Sequence, residues 1–244
     1  MSIRWVCGLA ALACCSAHAM TADELVAKNL EARGTGLTQI RTLKTEGKLR
    51  FGGQFELDFV QYQKAPDSSR IEASLQGLTA VQAWDGHEAW QISPFQGRKD
   101  PEKMTADDAR ALADDAPIAG QLLGWKERGS HIDYLGTEDV DGTEAHKLKV
   151  TLANGDIEYL YLDPDHFLEI RTVAQRTVRG TQVETVTDYG DYEQVAGAWF
   201  PFSVATENRS DGSRQQVTID HAEANVPLDD ALFAFPHAAK GAAK

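Results

Sequence analysis

The sequence predicts a mainly β protein of the α+β type: a single curved antiparallel sheet that forms an unclosed half-barrel, with helices covering its concave face. Short runs of alternating apolar and polar residues recur along most of the 244-residue chain, and glycine-containing turns separate them. In the first half, no connection between runs is long enough for a parallel crossover. We expect about ten or eleven strands, which are too many for a flat open sheet, so the sheet should curl.

The first 19 residues are typical of a secretory signal peptide. Arg4 supplies the positive start, residues 5–15 form an apolar run too short to span a bilayer, and small residues lie at 17 and 19. We therefore expect export to the periplasm, with cleavage after Ala19. One alternative stays open, because the segment 12–14 resembles a lipoprotein acylation site at Cys14, although Ala11 stands where leucine is preferred.

The composition after the signal bounds the class of protein. All three cysteines, Cys7, Cys14 and Cys15, lie within the first 19 residues, so the exported part can form no disulfide and must be held by its core. The formal net charge of the whole chain, −13, disfavours nucleic acid as a partner. We expect one domain over 20–236, a disordered tail over 237–244 and a monomer.

One capped helix is predicted at the start of the exported chain. Thr21 and Glu24 match a capping box, and Gly34 follows as a stop signal, so the helix should span about 21–33. The glycines after it, Gly34 and Gly36, could either act as hinges or only end the helix. Its apolar face should lie on the concave side of the sheet as a lid and consists of Leu25, Val26 and Leu30.

Strand patterns occupy most of the remaining chain. Five meandering strands are expected between 44 and 92, and further strands between 132 and 226, where Asn154-Gly155 is the clearest hairpin turn. Residues 93–130 break this pattern and read as a helical insertion. Its prolines and Gly97 predict a loop through Pro101, Thr105 should cap a helix that runs to about Ala116, and a second short helix is expected over 118–125.

Signatures of catalysis are missing from the sequence. It has no Gly-x-Ser-x-Gly elbow, no phosphate-binding glycine loop and no cysteine nucleophile after the signal. His87-Glu88 begins like a zinc-protease helix, but Gln91 stands where the second histidine belongs. Asp163, Asp165 and His166 surround a proline and are better explained as a turn. We expect no catalytic residue, no metal and no cofactor.

Apolar and aromatic side chains are the candidates for a binding site. An incomplete barrel of this size tends to enclose a cavity, and strand alternation selects the side chains that could line it. The predicted lining of this hydrophobic cavity is Phe55, Leu57, Phe59, Trp84, Trp90, Leu148, Val150, Tyr159 and Tyr161.

Four short motifs resemble the bacterial outer-membrane lipoprotein-sorting proteins, which share the LolA-like fold. They are VQAWDG at 81–86, WQISPF at 90–95, YLD at 161–163 followed by FLEI at 167–170, and DY at 191–192 leading to WFP at 199–201. The resemblance covers about residues 21–236. It implies an unclosed antiparallel barrel with a helical lid over a hydrophobic cavity, as in the LolA and LolB type of fold.

The function that this resemblance implies is that of a periplasmic lipoprotein carrier, or chaperone, that shields acyl chains and has no enzymatic activity. The partners would be lipoprotein or lipid acyl chains, together with inner- and outer-membrane transport proteins. Relatives with this fold also include stress sensors and anchored lipoproteins. An envelope sensor or scaffold module is therefore the alternative function.

Overall fold

The structure is a computed structural model that describes residues 20–53 and 55–236. The expected signal peptide (1–19), with the cleavage point after Ala19 and the acylation candidate Cys14, and the expected tail (237–244) lie outside the described residues. Within the described ranges, no helix has both the length and the apolar character needed to cross a membrane.

Thirteen strands form one sheet in the described part of the chain, and every neighbouring pair is antiparallel. The strands are β1 (Thr42–Phe51), β2 (Phe55–Lys64), β3 (Ser68–Leu75), β4 (Leu78–Trp84), β5 (Ala89–Ser93), β6 (Arg98–Lys103), β7 (His131–Val140), β8 (Thr143–Thr151), β9 (Ile157–Leu162), β10 (Glu169–Val178), β11 (Thr181–Val195), β12 (Ala198–Asn208) and β13 (Arg214–Ala224). Their order is β6-β5-β4-β3-β2-β1-β13-β12-β11-β10-β9-β8-β7. Since β6 and β7 are the two edges and do not pair, the barrel is unclosed, and the predicted fold class is confirmed.

In the described residues, two α-helices accompany the sheet: α1 (Ala22–Arg33) and α2 (Ala106–Asp114). The predicted capping box of α1 is confirmed, because the Thr21 side chain accepts from the Glu24 amide and the Glu24 carboxylate accepts from the Thr21 amide. Single 3₁₀ turns occur at Leu37–Gln39, Pro94–Gln96 and Asp230–Leu232.

The predicted meander is confirmed, because β1 to β5 are consecutive neighbours in the sheet. The Gly52-Gly53 turn joins β1 to β2 with Phe51 opposite Phe55. The Asn154-Gly155 turn likewise joins β8 to β9, with Thr151 opposite Ile157.

Three expectations for the 93–130 segment are corrected. The helix capped by Thr105 is present but ends at Asp114 rather than near Ala116. The second helix over 118–125 is wrong: these residues form turns, because Gly120 and Gly124 adopt positive φ angles of 71° and 67°. The predicted loop through Pro101 is instead the edge strand β6, where proline costs no ladder hydrogen bond. Strand β6 is one reason why the sheet has thirteen strands in the described residues and not the ten or eleven expected.

The apolar core lies between the sheet and α1. One cluster joins Leu25 and Val26 of α1 to side chains of β7, β8 and β9, and a second cluster joins β1, β12 and the turn after α1. Leu30 packs against both clusters. The core is therefore continuous beneath α1, on the concave face.

The chain end crosses the opposite, convex face of the sheet. Backbone carbonyls of this segment accept hydrogen bonds from side chains of the sheet. Lys64 Nζ donates to Leu228 (3.0 Å), Arg70 donates to Leu232 (3.0 Å) and Trp90 Nε1 donates to Phe233 (2.8 Å). These three contacts hold the C-terminal segment (residues 227–236) against β2, β3 and β5.

Candidate functional site

Leu148 and Val150 lie directly beneath the lid helix. Both are fully buried in the cluster that contains Leu25 and Val26 of α1. These predicted lining residues and two predicted lid residues are therefore in one apolar cluster.

Three further predicted residues lie on the same concave face of β2 by strand alternation. Leu57 and Phe59 are buried, whereas Phe55 at the hairpin tip is 58% exposed. Trp84 pairs with Ser69 on β3, and its indole nitrogen is buried with no hydrogen-bond partner in the described part of the chain.

Tyr159, Tyr161 and Trp90 do not lie with the other predicted lining residues, and their placement is a correction. On β9, the residue opposite Leu148 is Leu160, whereas Tyr161 is opposite Lys147. The two tyrosines consequently project to the convex face and pack with Ile170 and Val173.

Trp90 is on the convex face as well. Its neighbours are Val81, Ala83 and Phe235, and its ring meets the Phe235 ring edge-on with centroids 6.2 Å apart. The tryptophan is a core residue under the C-terminal segment rather than part of a concave cavity.

The core residues beneath α1 that sequence reasoning missed include Leu160 and Leu162. Both are buried in the α1 cluster. The sequence shows that they alternate with Tyr159 and Tyr161 along β9. Choosing the larger aromatic side chains as the cavity lining selects the residues on the wrong face of this strand.

The lid helix α1 is fixed to the sheet by polar contacts near its C-terminal end. Arg33 pairs with Glu169 at 3.3 Å and donates from Nε to the Trp199 carbonyl at 2.9 Å. Asn29 is buried and donates to the Phe167 carbonyl at 2.8 Å. In the first turn of α1, Asp23 pairs with Lys126 at 3.2 Å, and both side chains are exposed.

His146 of β8 lies on the concave face of the sheet, opposite Leu162. Its Nδ1 lies 3.0 Å from the Tyr134 hydroxyl, and its ring stacks on Phe167 with centroids 5.8 Å apart. The predicted turn at Asp163 is also confirmed, because the Asp163 carboxylate accepts from the backbone amides of Asp165 and His166.

The helix α2 covers a different part of the sheet and connects its two halves. It contacts β3, β4 and β5 on one side and β10 on the other. Arg176 of β10 anchors its end, with Asp114 at 3.4 Å, Asp115 at 3.0 Å and Glu158 of β9 at 3.2 Å. Three carboxylates thus share one guanidinium group.

Burial changes the ionisation of this carboxylate cluster. It raises the pKa of Glu158 to about 8, and the nearby charge of Asp115 adds to the effect while Arg176 opposes it. It also raises the pKa of Asp114 to about 6, again against the effect of Arg176. The contact between α2 and the sheet therefore contains protonatable groups near neutral pH. Among the described residues, no group of three or more His, Cys, Asp or Glu side chains is arranged to hold a metal ion.

A cavity of about 600 Å³ lies between α2 and the concave face of β2 to β5. Gln61, Ser69, Ile71, Gln82 and Gln91 form its floor, and Ala111 and Leu112 of α2 form its roof. The cavity is thus mostly polar, in contrast to the expected hydrophobic lining. The apolar surface of the half-barrel lies instead under α1, where side chains fill it.

A second cleft, of about 370 Å³, opens where β12 and β13 separate. These strands pair only between Ser203–Thr218 and Glu207–Arg214, so their other ends diverge. Side chains such as Glu193, Asp220 and Glu223 line the cleft and make it acidic.

Solved structures share this architecture. A DUF1329 family protein from Desulfovibrio piger superposes with a TM-score of 0.61 at 14% identity, covering 87% of this chain and 96% of that one. A LolA superfamily protein from Nitrosomonas europaea gives 0.60 at 15% identity, covering 88% and 98%. The chain has the LolA-like fold.

A domain described as a putative outer membrane lipoprotein-sorting protein, from Vibrio parahaemolyticus, has the same LolA-like fold. Its TM-score is 0.59 at 11% identity, and the match covers 85% of this chain and 94% of that one. No protein-family model matches the sequence, and neither does any curated protein. At these identities the neighbours establish the fold, and the resemblance read from the sequence motifs is confirmed at that level.

Proposed function

We propose that this protein is an exported, non-enzymatic carrier that binds acyl chains of lipids or lipoproteins on the apolar sheet surface beneath α1. The observation that carries the proposal is the continuity of the two apolar clusters at Leu30, one under each side of the same short helix. A helix that covers a continuous apolar surface can be displaced by another apolar group of similar width, such as an acyl chain.

Such an exchange would leave an apolar surface for the incoming chain when α1 moves away. Leu148, Val150, Leu160 and Leu162 would then face an incoming chain on one side, and Phe200 and Phe202 on the other. Each buried CH₂ group contributes about 0.8 kcal/mol, so burial of a long acyl chain can replace the apolar contacts that α1 loses. The Asp23–Lys126 pair in the first turn of α1 is exposed and therefore weak, which favours opening at that end.

The fold neighbours support the proposal at the level of class. The domain from Vibrio parahaemolyticus is described as lipoprotein-sorting, and a carrier role here extends that description to this chain. Inner- and outer-membrane transport proteins are the partners that such a carrier would need.

The test is binding of a fluorescent fatty acid, dansylamino-undecanoic acid, to the delipidated exported protein, with displacement by palmitate. The wild-type protein should bind the probe and should release it when palmitate is added. Val26→Ala loosens α1 and should raise the affinity several-fold. Val173→Ala removes the same atoms from the convex cluster and should leave the affinity unchanged. No binding by either the wild type or Val26→Ala would overturn the carrier function.

Export is part of the proposal and is tested separately. Mass spectrometry of the protein from cells should give a mature chain that starts at Met20, after cleavage behind Ala19. A diacylated chain that starts at Cys14 would replace the free carrier with an anchored lipoprotein.

A second function, an envelope sensor or scaffold, is favoured by one observation. Phe51 and Phe55 face each other across the β1–β2 hairpin and are 50% and 58% exposed. An exposed aromatic pair at a strand end is typical of a protein contact. Crosslinking in cells distinguishes the two functions: a partner whose capture is lost in Phe51→Ser, together with no bound lipid, would support the sensor.

A further inference from the structure

The cavity under α2 contains hydrogen-bonding groups that the protein does not use. Ser69 is 1% exposed, it lines the cavity, and its hydroxyl has no hydrogen-bond partner in the described ranges. An unpaired buried hydroxyl is destabilising, so a ligand group that pairs with it would gain a hydrogen bond. The serine therefore indicates a site for a polar ligand.

Three glutamines extend this polar floor. Gln61, Gln82 and Gln91 come from β2, β4 and β5, and the pairing of these strands through β3 places them on the same face as Ser69. Within 20–53 and 55–236, their side-chain amides are in none of the hydrogen bonds that hold the sheet or α2. Each amide offers two donor hydrogens and one acceptor oxygen to the cavity.

Most charged side chains at the cavity mouth already have partners; Arg179 differs, since it is its backbone amide that donates to Asp107. Arg98 pairs with Glu102 at 3.2 Å, and Lys103 pairs with Glu88. Asp115 pairs with Arg176. The floor itself is neutral, so a charged ligand would lose its hydration without gaining a free counter-charge there.

The roof and one side of the floor are apolar. Leu112 and Ala111 of α2 lie over Ile71 of β3. A ligand that fits must therefore present hydroxyl or amide groups towards the floor and carbon-bound hydrogens towards the roof.

We propose that the cavity binds a neutral polyhydroxylated ligand of mono- to disaccharide size. A hydroxyl group both donates and accepts, which matches serine and glutamine side chains. The volume of about 600 Å³ falls in the range of small-ligand sites, about 300–1,000 Å³. This site goes beyond the acyl-chain surface under α1, since it lies under α2 and uses none of the α1 cluster residues.

The same chemistry can come from a free saccharide or from the sugar headgroup of a glycolipid. The probes are glucose, maltose and N-acetylglucosamine for the first source, and octyl glucoside below its micelle concentration for the second. Octyl sulfate controls for the alkyl chain, and glucose 6-phosphate controls for charge. Binding is measured by saturation-transfer NMR and by isothermal titration calorimetry on the full exported protein.

Variants assign the binding to this cavity. The double variant Gln82→Leu/Gln91→Leu keeps the side-chain volume and should weaken saccharide binding at least tenfold. Ser69→Ala is the second variant, with a smaller loss. Gln216→Leu, an exposed glutamine on the convex side of β13, is the matched control and should bind like the wild type. Circular dichroism and the melting temperature of each variant report whether it folds.

The outcomes separate clearly. Binding of the free saccharides, or of octyl glucoside without octyl sulfate, supports the proposal and identifies the source. Binding of octyl sulfate alone, equal weakening by Gln216→Leu, or no binding of any neutral sugar overturns it, and the last result means that the cavity holds only water. The palmitate assay for the α1 surface does not depend on any of these results.

Discussion

Arg33 and Glu169 form a buried ion pair that ties the last turn of α1 to the first residue of β10. The Nη1–Oε1 distance is 3.3 Å, and the two side chains are only 7% and 11% exposed. The same arginine donates to the Trp199 carbonyl, so three elements meet at one guanidinium. The C-terminal end of the lid is therefore its fixed end.

Breaking this pair should cost much more than breaking a surface pair. Arg33→Met leaves the Glu169 carboxylate buried without its partner, and we expect a loss of about 3–5 kcal/mol in the free energy of unfolding. Lys48→Met removes an exposed pair with Asp58, whose side chains are 43% and 72% exposed, and should cost no more than about 1 kcal/mol. Urea denaturation measures both, and similar losses would contradict the assignment.

The turn after α1 is fixed by close backbone packing. Gly36 donates to the Gly197 carbonyl at 3.2 Å, and a Cβ at position 36 would lie 2.1 Å from the Ala196 carbonyl oxygen. Gly34 has a similar constraint against Gly197. These glycines are required by the close approach of the β11–β12 turn, which holds the chain after α1 in place.

Gly36→Ala should destabilise the fold through this contact alone. The φ angle of −65° suits alanine, so the substitution adds no backbone strain, and the overlap should cost about 1–3 kcal/mol or more. Gly190→Ala is the control, because its nearest neighbour would be Ser203 Cβ at 3.9 Å. The measurement is the midpoint of thermal unfolding. An equal decrease of this midpoint in both variants would contradict the prediction.

Much of this fold could be predicted from the sequence because its signals are local. The capping box at Thr21, the glycine-containing turns and the alternation along β8 each act within a few residues, and the structure agrees with all of them. The prediction of a short helix over 118–125 was wrong because Gly120 and Gly124 adopt positive φ angles, which interrupt a helix. Propensity alone did not show this.

The candidate site was harder to predict because it depends on which face of the sheet each strand presents. Alternation defines two faces of a strand but does not say which one is concave. Trp90 has the size and burial of a cavity residue, yet it lies under the C-terminal segment, a contact between residues 143 apart in sequence. Only the sheet register shows that Leu160 rather than Tyr161 lies beside Leu148.

The C-terminal segment should be a structural part of the domain. Phe233 is almost fully buried, and its carbonyl accepts from Trp90 Nε1 at 2.8 Å. Phe233→Ala should lower the free energy of unfolding by about 3–5 kcal/mol, as for other large buried aromatic side chains. Phe95→Ala, at an exposed phenylalanine, should change it by less than about 1 kcal/mol. A small effect at both sites would mean that the segment is only loosely held.

The contact between α2 and the sheet should weaken as pH rises. The pKa of Glu158 lies at about 8 in the folded protein, against an ordinary value of 4.5, and that of Asp114 at about 6, against 3.8. Both groups hold their proton more tightly in the folded state. The stability that comes from the neutral forms is therefore complete below about pH 4 and is lost as pH rises towards 8.

We accordingly expect the free energy of unfolding to fall between pH 5 and pH 8.5 by a few kcal/mol, since one pKa unit corresponds to about 1.4 kcal/mol. Glu158→Gln stays neutral throughout and should remove most of this slope, leaving the part below pH 6 that belongs to Asp114. Glu56→Gln, at an exposed carboxylate on β2, should keep the wild-type slope. The measurement is urea denaturation at half-unit pH steps. Two results would contradict this prediction: a wild-type free energy of unfolding that is constant or rises across this pH range, or an unchanged slope in Glu158→Gln. Either would show that the carboxylates around Arg176 are already ionised at neutral pH and that their charges are compensated.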